Sequence, residues 1–76
     1  MKNNINIHIG FLAKPLLEQV TEQGYRFKDT SDCSIFVNYI DQVTRLMFAG
    51  IITRTEADKI YNRIVKMIAS SIEELK

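Results

Sequence analysis

The stretch Asp32–Gly50, DCSIFVNYIDQVTRLMFAG, decides how the chain folds. At 100° per residue, Phe36, Tyr39, Ile40, Val43, Leu46 and Met47 fall on one broad face of a helical wheel. Their i, i+3, i+4, i+7 spacing is that of an amphipathic helix with its apolar side buried. Val37, Thr44 and Phe48 make a second, narrower stripe on the flank, and Asn38, Asp41, Gln42 and Arg45 fill much of the remaining surface. One apolar face needs one neighbour. A flanking stripe needs another, from the same chain or from a second one. Thr30, Ser31 and Asp32 each offer an N-cap oxygen to the free amides of the first turn. Gly50 suits the left-handed stop at the far end. The stretch reads as a central helix over about 32–50.

On its N-terminal side, FLAKPLLEQVTEQ (11–23) also reads as a helix, over about 12–23. Leu12, Leu16 and Val20 stack at i, i+4, i+8, with Ala13 and Leu17 beside them. Pro15 is tolerated only in a first turn, which puts the start near Leu12 to Lys14. Gly24 marks the stop, with Tyr25 placed to cover Val20. In the connection YRFKDTS (25–31), Tyr25 and Phe27 alternate with Arg26 and Lys28. Such interleaving can stack bases and touch phosphates. Two rings capping the core, with two charges in water, produce the same alternation and are the expectation here. Ahead of the helices, NNINIHI (3–9) alternates, with Ile5, Ile7 and Ile9 on one side and Asn4, Asn6 and His8 on the other. That is a strand period. A lone strand must pair with another copy, pair with a partner, or lie over the helices as an arm.

On the C-terminal side, IITRT (51–55) is a tight helix–helix connection. Thr53 and Glu56 have capping-box spacing, and Ile52 and Ala57 are placed as a hydrophobic staple. The last helix is expected over about 54–74. Its apolar face is Ala57, Tyr61, Ile64, Val65, Ile68, Ile72 and Leu75, with Ile60 and Met67 on the margins. Glu73 and Glu74 would close it at the end that disfavours negative charge, so fraying is expected there.

RLMFAGIITRTEADKIYNRI, about residues 45–64, resembles the helical hairpin of the SHOCT type through Leu46, Ala49, Gly50, Ile51, Ile52, Thr53 and Glu56. SHOCT hairpins usually end longer proteins and are thought to mediate oligomerisation, so the resemblance implies association. This chain departs from that pattern by two further elements ahead of the hairpin and by a longer last helix.

The whole is therefore expected to be all-α: a three-helix bundle with an N-terminal extended arm or short strand. It is one small domain over 1–76, with the arm over 1–10 and the helical core over 11–76. A chain of 76 residues buries a limited core and is marginal alone. Its single Cys excludes an internal disulfide, and one His with one Cys cannot make a structural zinc site, which takes about four ligands. Association is the remaining way to enlarge the core. Apolar residues at 46% argue against disorder. No apolar run approaches the roughly 20 residues that span a bilayer. MKNNINIHIG has no secretory-signal core or cleavage site, so a cytoplasmic protein is expected. Frequent Ile, Asn and Lys fit an AT-rich genome, such as that of a low-GC bacterium or its phage.

The chemistry is sparse. The three Gly residues are scattered and make no phosphate loop. His8 is the only base to pair with Cys33, and no motif joins them. Cys33 in a first helical turn could have a lowered pKa, although a small packing residue is its ordinary role. No catalytic, cofactor-binding or metal residue is assigned, and no enzyme is expected. The expectation is a self-associating protein–protein interaction module, dimeric, that binds and modulates another protein as bacterial or phage regulators do. Its contact surface would be Ile5, Ile7 and Ile9 with Val37, Thr44 and Phe48. The alternative is a DNA-binding helix-turn-helix with 54–68 as recognition helix, presenting Arg54, Lys59, Asn62, Arg63 and Lys66. Against it, Glu56 and Asp58 sit in the first turn of that helix, and the net charge of +1 lacks a basic excess.

Overall fold

The computed structural model describes residues 5–10 and 12–75. Asn3, Asn4 and Phe11, which belong to the expectations above, lie outside that set. The order of elements is α1 (Leu16–Glu22), β1 (Tyr25–Phe27), α2 (Ser31–Phe48), α3 (Arg54–Ser70) and β2 (Ile72–Glu74). Three helices are present, and so is a small sheet. β1 and β2 pair antiparallel, with Tyr25 opposite Glu74, Arg26 opposite Glu73 and Phe27 opposite Ile72. An all-α chain is therefore corrected to a helical chain closed by a two-stranded ladder.

That ladder fixes the topology. β1 leads into α2 and β2 leaves α3, so the two long helices must run antiparallel, back along each other. They share a core of Leu16, Val20, Phe27, Phe36, Val43, Ala57, Ile64, Ile68 and Ile72. The Phe27 and Phe36 ring centroids are 6.1 Å apart, within the range of a favourable aromatic pair. The molecule is elongated, 43 × 21 × 21 Å.

The last helix stops at Ser70 and not at Glu74 as expected. Ser70 Oγ donates to Lys66 O and Ser71 Oγ to Met67 O, which is the competition that serine offers to a helical backbone. The chain then turns, and Ile72 is buried in the ladder opposite Phe27, where the helical reading also buried it. Leu75, expected on the apolar face, is 45% exposed. Glu73 does not fray from a helix end; its carboxylate lies 3.7 Å from Arg26 across the strands.

The first helix is shorter than expected. It starts at Leu16, with Pro15 at the cap position, φ −53° and ψ 144°. A proline pushes the residue before it out of helical space, so Lys14 and the residues ahead of it stay outside. Leu12 is almost fully exposed, and only Leu16, Gln19 and Val20 are buried. Gly24 makes the stop at φ 87°. At the end of α2, Gly50 at φ 75° carries the full Schellman pair: Gly50 N–H donates to Met47 O and Ile51 N–H to Leu46 O, both at 3.0 Å. Thr53 and Glu56 form the expected capping box at the start of α3. At the start of α2 the expected caps give way to Asp29. Its Oδ1 accepts from Ser31 N–H at 3.0 Å and from Ser31 Oγ at 2.7 Å, and no side chain caps from Thr30.

On α2 the expected broad face splits. Phe36 and Val43 are buried and Ile40 and Met47 half-buried, but Tyr39 and Leu46 stay 49% and 39% exposed. The core of so short a chain is too narrow to cover the whole face.

The arm lies over the helices. Ile5, Ile7 and Ile9 are half-buried and Asn6 and His8 exposed, so the alternation holds without a partner strand. Two glutamines take the place of that strand. Gln19 Oε1 accepts from His8 N–H at 2.8 Å and its Nε2 donates to His8 O at 2.9 Å. Gln23 does the same for Asn6 at 2.9 and 2.7 Å. The spacings match. Four helical residues rise about 6 Å, and two extended residues advance about 6.7 Å. A primary amide offers one donor and one acceptor side by side, as a backbone peptide does.

Candidate functional site

Ile40 and Met47 border the core on α2, and Thr44 lies just beyond them, between the two helices. Thr44 Oγ1 donates to Ile40 O at 2.8 Å, a local bond open to a helical threonine. With its one hydrogen used there, Thr44 Oγ1 accepts from the Tyr61 hydroxyl of α3 at 2.6 Å. This pair ties the helices together and leaves a step in the surface. The arm ends beside it. The result is a cleft of about 440 Å³ lined by Ile9, Gly10, Ile40, Asp41, Thr44, Met47, Phe48, Arg54 and Tyr61.

Of the residues expected from sequence to form a contact surface, the structure gathers Ile9, Thr44 and Phe48 around this one cleft. Phe48 is 71% exposed at its edge. Ile7 and Val37 line a neighbouring hollow of about 140 Å³ between the arm, α1 and α2. Ile5 and Ile7 pack against the core, so part of the arm's apolar side serves the fold. Thr44 is half-buried by its bond to Tyr61. Met47, Asp41 and Tyr61 belong to the cleft and were not expected there. The available signal was the pair of polar tips, Thr44 and Tyr61, on the facing sides of two apolar helices.

The walls are mainly apolar, with charge at the rim. Arg45 Nε lies 2.9 Å from Asp41, and Arg54 Nε lies 3.1 Å from Asp58, each an i, i+4 pair on its own helix. Such a site can hold an apolar side chain while its rim groups bond a partner's polar backbone. It holds no nucleophile with a base. Cys33, half-buried at the other end of α2, has its thiol pKa pushed up by burial, the opposite of the activation that a first-turn cysteine could have. Among the described residues no group of three or more His, Cys, Asp or Glu side chains could hold a metal ion. No helix there is long and apolar enough to cross a membrane.

On the wheel Lys59, Arg63 and Lys66 recur at i, i+4 and i+7 and make one stripe on the outer face of α3 with Asn62 beside it, whereas Arg54 turns toward the cleft. All five are exposed. The antiparallel course of α2 and α3 is that of an αα-hairpin, whereas a DNA-binding helix-turn-helix crosses at about 90–120°.

No family model matches the chain, and neither a curated protein nor a solved structure resembles it significantly. The SHOCT-like turn is accounted for locally by the Schellman stop at Gly50 and the capping box at Thr53.

Proposed function

We propose that this chain is a non-enzymatic contact module that self-associates and binds and modulates a partner protein. The partner's apolar side chain or helix seats in the cleft beside Phe48. The observation that carries the reading is Phe48 itself: a large ring, 71% exposed, at the edge of a concave apolar site with Ile9, Met47 and Tyr61. Aromatic side chains, Phe among them, are enriched at the cores of protein–protein interfaces. The near-neutral charge favours a protein partner over nucleic acid.

The test is a pull-down with the tagged chain, with and without nuclease, at low and moderate salt, repeated with Phe48→Asp. A discrete protein band that survives nuclease and is lost with Phe48→Asp, while circular dichroism is unchanged, supports the cleft. Loss of helicity in the variant makes Phe48 a core residue and ends the assignment. Nucleic acid that salt removes would replace this reading with the one built on Lys59, Arg63 and Lys66.

A further inference from the structure

The described residues of the arm line hollows on one side of the helical hairpin. In two antiparallel helices that face each other, the residue after each core residue points to one side of the pair and the residue before it to the other. Val37, Thr44 and Val65 follow Phe36, Val43 and Ile64, and these are the positions that share hollows with the arm's Ile7 and Ile9. Ile35 and Met67 precede Phe36 and Ile68, on the other side of the pair from the hollows that Ile7 and Ile9 line. Ile35 is 48% exposed and Met67 49%, and Tyr39 and Leu46 lie on the same flank of α2.

We propose that a second copy of this chain covers that flank, α2 against α2 about a two-fold axis, so that two hairpins make a four-helix assembly. The proposal rests on the self-association in the reading above and names its surface, which is distinct from the Phe48 cleft. Three observations favour a second copy.

The spacing comes first. Ile35, Tyr39, Gln42 and Leu46 recur at 4, 3 and 4 residues, the pattern of a seam between paired helices. The seam is also self-complementary. An antiparallel two-fold sets Ile35 against Leu46 of the other copy, and Tyr39 against Gln42. The second pair puts a ring on an amide stem, with a hydroxyl and an amide at the tips. Such a polar pair in an apolar seam fixes register. A net charge of +1 sets little repulsion between copies.

The test uses the whole chain in sedimentation equilibrium from about 1 to 100 μM, the range of ordinary homodimers. Wild type should have twice the 8.8 kDa mass of one chain. Ile35→Glu and Leu46→Lys should each weaken dimerisation at least about a hundredfold, because each buries a charge opposite an apolar residue. Mixing the two variants should restore a dimer, because the new Glu at 35 then meets the new Lys at 46 of the other chain. Within one chain these positions are 11 residues apart, about 16 Å along the helix, too far to pair. Phe48→Asp should leave the dimer intact. A monomer throughout, a higher oligomer, or no rescue on mixing overturns the proposal. So does loss of helicity in either single variant, which would make those positions core. If wild type is dimeric and Phe48→Asp alone dissociates it, copies meet through the cleft and this flank is not the interface.

Discussion

Gln19→Met isolates the contact that holds the arm. Gln19 is the only polar residue buried with the core among those described, 7% exposed. Its amide makes three hydrogen bonds: with His8 N–H at 2.8 Å, with His8 O at 2.9 Å and with Lys14 O at 2.7 Å. Methionine keeps the unbranched stem and fills the same space with apolar atoms. His8 is exposed, so water can reach its freed backbone groups and the full desolvation penalty does not apply. Three net bonds at about 0.5–1.5 kcal/mol each, discounted for that rehydration, come to about 2–3 kcal/mol. This should appear mostly as easier local opening of the arm, since α2 and α3 are untouched. The assay is native-state amide hydrogen exchange by NMR. The His8 amide should exchange about 30- to 150-fold faster in Gln19→Met, at tenfold per 1.4 kcal/mol. Gln23→Met should act more strongly at Asn6, because Gln23 holds that peptide. A His8 amide that is unprotected in wild type, or whose rate moves less than about threefold in the variant, would refute the strand-like role of the two glutamines.

Two further outcomes follow from local geometry. Gly50→Ala should cost about 1–2 kcal/mol, read as a lower urea midpoint with an unchanged m value. The added Cβ meets nothing within 4 Å, so only the backbone cost of φ 75° remains. The bonds from the Ser31 side chain and backbone hold the Asp29 carboxyl below its ordinary value. A lowered folded-state value stabilises above the unfolded pKa of about 4, and that stabilisation is lost as pH falls through the folded value. Ser31→Ala should therefore move the Asp29 titration upward in an NMR pH series and shrink the loss of stability on the acid side. An unmoved titration would show that Ser31 is not the cause.

Much of the fold was legible because local chemistry and tertiary packing agree. Gly24, Gly50 and the Thr53–Glu56 box mark element ends that the structure keeps. The β1–β2 ladder was not legible, for a definite reason. Ile72 continues the Ile64, Ile68 spacing, so a helix and a turn into a strand bury the same residue. Only the serines at 70 and 71 signalled the break, and serine alone is a weak stop. The arm's partner was hidden in a similar way. Gln19 and Gln23 look like solvated helix positions, and their role depends on a chain segment 11 to 17 residues away.

The apolar surface of α2 was legible in part, and the part that the wheel misplaced is informative. From Ile35 round to Phe48, the apolar arc of α2 covers about 220° of its circumference. A single chain of this length can bury only the middle of such an arc, at Phe36 and Val43. The wheel assigned Tyr39 and Leu46 to that middle because it measures direction and not the width of the neighbour. The structure divides the arc into three. Its centre is core, one edge borders the arm and ends at the exposed Phe48, and the other edge carries Ile35, Tyr39 and Leu46, 48%, 49% and 39% exposed. The apolar residues at that edge recur at a spacing that matches its own reflection, and it is on this feature that the proposed two-fold seam rests.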